Sequence, residues 1–157
     1  MTYTVGIGEM AISNQPGDRI ITHALGSCVA VTVFCKETKI AGMIHVALPS
    51  KPLHASVSMN KPAYYADDGI ENFTRALSQK GCYDFNKAII HLIGGANPTR
   101  MNDYFMVGKR NLEAVKRILL ERQLKFIEND IGGNVSRTVE MDVATGLIQI
   151  KSQPLII

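Results

Sequence analysis

The chain has 157 residues, of which 46% are hydrophobic and 20% charged, with a net charge of +3. That length fits one domain over residues 1–157, and the apolar share with so small a net charge excludes a disordered chain. No apolar run approaches the roughly 20 residues of a bilayer span. Met1-Thr2-Tyr3-Thr4-Val5-Gly6 carries neither a basic nor an apolar export signal, so the expectation is a soluble cytoplasmic domain with no membrane insertion.

In chain order, strands are expected over 4–7, 20–23, 29–35 and 40–46. A long surface loop follows over 49–62, where Pro49, Pro52 and Pro62 lie among small and polar residues. Apolar residues at Ala66, Ile70, Phe73 and Leu77 mark a helix over 63–80, closed by Gly81. A strand over 88–93 precedes a second helix over 108–123, whose stripe is Leu112, Val115, Ile118 and Leu119. After a strand over 126–129, Val139, Met141 and Val143 alternate with Thr138, Glu140 and Asp142. Ala144-Thr145-Gly146 then turns the chain into a last strand over 147–151, making a hairpin. About eight strands and two long helices without βαβ alternation predict an α+β fold, a layered sandwich with the helices packed outside.

Cys28, Cys35 and Cys82 are an odd set with no CxxC pair. Such a set is neither a disulfide framework nor a zinc site, so all three are expected as reduced thiols. Lys109-Arg110 and Lys116-Arg117 form the densest basic stretch and fall on the second helix. With few aromatics beside them they read as a solvated face, not a nucleic-acid site.

The chemistry concentrates between Thr22 and Pro49. Cys28 follows Leu25-Gly26-Ser27 and opens the apolar strand over 29–35. A thiol at such a turn has a glycine beside it that permits close approach of a ligand, and the freed N–H groups of Gly26 and Ser27 could face a developing oxyanion. His45 lies on the next strand. If Lys36-Glu37-Thr38-Lys39 is the turn, Cys35 pairs with Ile40, Ala30 with His45 and Cys28 with Ala47. Cys28 and His45 are then diagonal neighbours on one face, about 7–8 Å apart at their backbones. A two-residue turn preserves this, whereas an odd-length turn or a bulge puts them on opposite faces. A thiolate is the nucleophile, and an imidazole beside it can take its proton and return it to a leaving group. Thr22, just upstream, is the candidate to orient the imidazole. On spacing alone, Cys28 as a buried thiol and His45 as a core histidine remain the competing reading.

Leu25-Gly26-Ser27-Cys28-Val29-Ala30-Val31, followed by Gly42-Met43-Ile44-His45 and Leu48-Pro49, closely resembles the chemoreceptor glutamine deamidase family, CheD. The resemblance runs over nearly the whole chain. It takes in Gly6-Ile7-Gly8-Glu9, Tyr65-Ala66-Asp67, Gly94-Gly95-Ala96, Gly108-Lys109-Arg110-Asn111, Asp130-Ile131-Gly132-Gly133 with Arg137, and Thr145-Gly146. The sequence departs from the family pattern at Asn97-Pro98-Thr99, where a methionine-containing run is expected. The resemblance implies a catalytic set of Cys28, His45 and Thr22, with Thr22 acting through its hydroxyl or its carbonyl. It implies hydrolysis of glutamine side-chain amides on a chemoreceptor's cytoplasmic helical bundle through a thioester. It also implies a CheC-type phosphatase partner, no cofactor, and a fold like that of cysteine deamidase toxins. A free monomer is expected, since no apolar helix is left over. The alternatives are a non-catalytic module regulating the phosphatase, and a protease or transamidase using the same pair.

Other signals are weaker. Gly6-Ile7-Gly8 is half a dinucleotide fingerprint, and Gly94-Gly95 and Gly132-Gly133 read as tight turns, because no Lys-Ser/Thr pair follows either. His91 reads as a core histidine, and His23 and His54 form no metal set. Asp67-Asp68 with Glu71 reads as the charged start of a helix.

Overall fold

Nine strands and two long helices make three layers in the computed structural model, which describes residues 1–52, 61–97 and 106–155. The first sheet joins β1 (Thr2–Thr4), β3 (Arg19–Leu25), β8 (Val135–Asp142) and β9 (Ile148–Pro154) in that order. The second has the order β2 (Met10–Ser13), β5 (Ile40–Val46), β4 (Val29–Cys35), β6 (Ile89–Gly94), β7 (Ile127–Ile131). The β1–β3 and β6–β7 pairs are parallel and the others antiparallel, so both sheets are mixed. Helices α1 (Ala66–Lys80) and α2 (Val107–Glu121) complete the α+β architecture.

Alternation along the central strands explains the layering. β4 and β5 are buried on both faces, as their continuous apolar runs require. Ala30, Phe34, Ala41 and Met43 pack toward Ile20, Leu25, Val139 and Met141 of the first sheet. Val29, Val31, Val33, Ile44 and Val46 pack instead toward Ile70, Phe73 and Leu77 of α1 and Leu112 and Val115 of α2. Each fully buried large side chain of this kind contributes roughly 1.5–3 kcal/mol.

The expected register holds: Cys35 pairs with Ile40, Ala30 with His45, and Val29 with Val46. The sequence reading missed β2, a four-residue edge strand with little polar alternation. It also placed the first strand two residues too late. The expected surface loop over 49–62 falls largely outside the described residues, as do His54 and Pro98-Thr99 of the departure from the family pattern. Three of the four basic residues on α2 are ion-paired with carboxylates, Lys109 with Glu113, Arg117 with Glu121 and Lys116 with Glu128. Gly132 and Gly133 form a tight turn with φ of 71° and 70°. His91 is half-buried beside Asn129 at the β6–β7 seam, not a core residue.

The expectation of three reduced thiols is corrected. Cys35 and Cys82 form a disulfide with their Cα atoms 6.2 Å apart, leaving Cys28 as the free cysteine. The cause lies at the end of α1. Gly81 takes φ of 120° and Cys82 N–H donates to Leu77 O at 2.9 Å, a capping turn that aims the chain back at the end of β4. Two cysteines 47 residues apart carry no local signal of this meeting. Closing a loop of that length stabilises a chain by about 2–4 kcal/mol. Adding a reductant should therefore lower the denaturant midpoint of the wild type and leave that of Cys82→Ala unchanged. Equal response of the two proteins would contradict the pairing.

Candidate active site

His45 owes its position to the register of β5. It shares a face with Ala41 and Met43, so its ring enters the layer between the sheets, where only 2% of the residue is exposed. Its backbone is held from the edge: His45 N–H donates to Glu9 O at 3.2 Å, and Gly8 N–H donates to His45 O at 2.8 Å. Across the layer, β3 brings up Thr22, fully buried, with Oγ1 2.7 Å from His45 Nδ1. It is the Thr22 hydroxyl, not its carbonyl, that meets the imidazole.

The same hydroxyl donates to Val5 O at 2.6 Å. A hydroxyl has one proton, and a carbonyl can only accept it, so Thr22 Oγ1 must accept from His45 Nδ1–H. The tautomer follows. Nδ1 carries the proton, and Nε2, buried without a hydrogen-bond partner among the described residues, keeps a free lone pair.

Cys28 lies at the turn between β3 and β4, half-buried and packed against the inter-sheet core that also lines the His45 face. β3 reaches this turn through a bulge between Thr22 and Leu25, where Ala24 takes φ of 55°. The extra residue lets both Thr22 and Leu25 face inward while His23 and Ala24 stay exposed. With Ala30 opposite His45, Cys28 stands two residues back on the adjacent strand, the diagonal position on one face. Thr22, Cys28 and His45 are thus brought to one end of the inter-sheet layer.

Burial sets the charge state. Loss of water pushes the Cys28 thiol up to about 11 and the His45 imidazolium down to about 4, the nearby Glu9 carboxylate partly opposing the latter. Glu9 itself is held below its usual range by the Gly6 N–H at 2.7 Å and then by Lys61 at 3.3 Å. At neutral pH these two groups on one face are a neutral thiol and a neutral imidazole, not a standing ion pair. Such a pair can transfer the thiol proton to Nε2 as sulfur attacks a carbon.

The turn itself is held from the loop after β6 and from α2. Gly95 N–H donates to Cys28 O at 2.8 Å and Ala96 N–H to Gly26 O at 2.9 Å. Gly94, at φ of 108°, approaches so closely that a Cβ there would stand 2.5 Å from Cys28 O. Asn111 of α2 donates to Ser27 O. In the sequence, Glu9 and Asn111 stand only as members of motifs and Gly94-Gly95 as a tight turn; their contacts with the turn and with His45 are long-range.

The depressed His45 pKa makes a prediction about stability. The unfolded chain binds this proton near pH 6.5, the folded protein only near 4, so stability is full above about 6.5 and is lost progressively as pH falls toward 4. Between pH 7.5 and 5.5 the loss from this group is about 1 kcal/mol, and half-buried His91, shifted down by burial, adds in the same direction. Denaturant titrations should show a shallower pH slope for His45→Gln than for the wild type, and identical slopes would contradict the assignment.

Comparison with known proteins identifies the family. The model of the family described as CheD chemotactic sensory transduction matches residues 47–152. A protein of Syntrophotalea carbinolica with the name "Probable chemoreceptor glutamine deamidase CheD" is 42% identical over 147 residues, covering 93% of this chain and 91% of the relative. A second, from Clostridium botulinum strain Alaska E43, carries the same name and is 35% identical, covering 94% of this chain and 90% of its own. "Probable chemoreceptor glutamine deamidase CheD 2" of Anaeromyxobacter dehalogenans is 32% identical over 95% of this chain and 93% of its own. The family match begins beyond Thr22, Cys28 and His45, but alignments this long span all three positions. The chain belongs to the CheD family.

Proposed function

We propose that this protein is a chemoreceptor glutamine deamidase in which Cys28 is the nucleophile, His45 the general base and acid, and Thr22 the group that orients the imidazole. The observation that carries the reading is the hydrogen-bond chain Val5 O, Thr22 Oγ1, His45 Nδ1, which leaves Nε2 basic on the face shared with the one free thiol among the described residues. The relatives' names supply the substrate class.

The reaction balances in two stages. Cys28 Sγ bonds to the glutamine carboxamide carbon while its proton passes to His45 Nε2. The imidazolium returns that proton to the leaving nitrogen, the C–N bond breaks, and ammonia departs from a thioester. Water then attacks the thioester carbon, giving its proton to the same Nε2; the C–S bond breaks, the thiol is reprotonated, and glutamate leaves. The transient imidazolium is stabilised by the Nδ1–H bond to Thr22 and by the charge of Glu9. Because both partners rest neutral, the energetic cost of charge separation is met only as the new S–C bond forms. Backbone N–H groups at Gly26-Ser27-Cys28 would receive the oxyanion.

The same reading places the reaction in the cytoplasm, on the helical bundle of the receptors, by a free monomer that has a CheC-type phosphatase as partner. It extends the α+β architecture to a likeness with cysteine deamidase toxins. Family membership supports these points, and no helix among the described residues is long and apolar enough to cross a membrane.

Incubation with a receptor cytoplasmic fragment, followed by peptide mass spectrometry, should reveal glutamine-to-glutamate conversion. Cys28→Ala should abolish it, and His45→Ala should lower it by about 10²-fold or more. Thr22→Val should cost about 10–100-fold in kcat. Conversion that persists in Cys28→Ala, or its absence from the folded wild type across several receptors, would overturn the reading.

A further inference from the structure

From its contacts with both halves of the site, we infer that Asn111 is a positioning residue that aims the Cys28 amide at the reacting carbonyl oxygen. Its side chain is fully buried on α2, and Nδ2 donates twice, to Ser27 O at 2.9 Å and to Ala47 O at 3.0 Å. Ser27 immediately precedes the nucleophile, and Ala47 lies two residues beyond His45. One amide group therefore ties the cysteine turn to the strand that carries the imidazole. Both partners are carbonyls, so the NH2 end must face them and the side chain cannot be flipped.

The direction of the Cys28 N–H follows from peptide geometry. In a trans peptide the C=O and the next N–H point opposite ways. Asn111 draws Ser27 C=O toward α2, which turns the Cys28 N–H away from α2. Ala96 N–H draws Gly26 C=O toward the loop after β6, which turns the Ser27 N–H away from it in the same manner. Neither the Ser27 nor the Cys28 amide donates a hydrogen bond among the described residues. These are two backbone donors held without an acceptor, at a half-buried thiol. Donors fixed in advance of the reaction are what an oxyanion site needs.

The close seat of α2 makes the clamp possible. Gly108 meets the carbonyl oxygens of Gly95 and Ala96 so tightly that any Cβ there would overlap them. A cost accompanies this arrangement. Asn111 Oδ1 is buried with no partner among the described residues, and an orphaned acceptor destabilises the fold. Asn111→Leu would avoid that cost but would strand the Ser27 and Ala47 carbonyls and release the turn.

The inference rests on the reading of Cys28 as an acyl-transfer nucleophile, and its test is independent of receptors and glutamine. Cys28 reacts with p-nitrophenyl acetate through a tetrahedral oxyanion, forming an acetyl thioester as p-nitrophenolate leaves. It reacts with iodoacetamide by direct displacement of iodide, with no oxyanion. Asn111→Leu should slow acylation at least tenfold while alkylation stays within about threefold of wild type, and Asn111→Ser, which keeps one donor, should recover part of the loss. Equal slowing of both reactions, or of neither, would overturn the inference. The wild type provides a second measurement should the variants not fold. Both Asn111 side-chain protons should be protected from exchange by NMR. The Cys28 amide proton should also move downfield when a peptide aldehyde, its aldehyde replacing the glutamine carboxamide, forms a thiohemiacetal. Rapid exchange or an unmoved amide would overturn it. Failure of receptor deamidation by wild type would instead count against the substrate assignment and leave the acylation-to-alkylation ratio to stand or fall by itself.

Discussion

The hydrogen bond between Thr22 and His45 is the constraint on which the proposed site depends, because it joins the two sheets at the imidazole assigned there to proton transfer. One hydroxyl proton is committed to Val5 O, and that single commitment fixes the proton on Nδ1 and the lone pair on Nε2. The bond is short and buried between residues 23 apart in sequence, on different sheets. A change in how the sheets face one another would alter the imidazole's tautomer as well as the packing. Fold and reactivity are coupled through this contact.

Burial has two opposed effects here. It makes the apolar layer that holds the sheets together, and it also withdraws water from a thiol and an imidazole, driving both toward their neutral forms. A permanent thiolate would be more reactive toward any electrophile. In the proposed mechanism, a neutral pair separates charge only when a substrate carbonyl meets a donor-lined oxyanion site. The uncommitted amides of the Gly26-Ser27-Cys28 turn and the Asn111 clamp beneath it belong to this logic: in a dry site, fixed dipoles do the work that water would do outside.

Much of this was legible in the sequence, and the reason is local. The β4–β5 hairpin has a short charged turn between apolar runs, so its register, and with it the shared face of Cys28 and His45, follows from counting. The two helices follow from their apolar stripes. What escaped counting depends on contacts far apart in the chain. The Cys35–Cys82 disulfide needs the capping turn after α1 to meet the end of β4, which no spacing announces. β2 is short and takes its form from β5. Asn111 stood in a recognisable motif, but its meaning lies in carbonyls 84 and 64 residues away. The choice between Thr22's hydroxyl and its carbonyl needed the packing of one sheet on the other, since Thr22 and His45 lie in different sheets.

The protonation of His45 on which this reading turns can be read directly. Nitrogen-15 NMR of the His45 ring in the free wild-type protein at pH 7 distinguishes a protonated from an unprotonated ring nitrogen. A neutral imidazole is expected, with Nδ1 protonated and coupled to its hydrogen and Nε2 bare. A ring protonated at Nε2 alone, or an imidazolium at that pH, would contradict it.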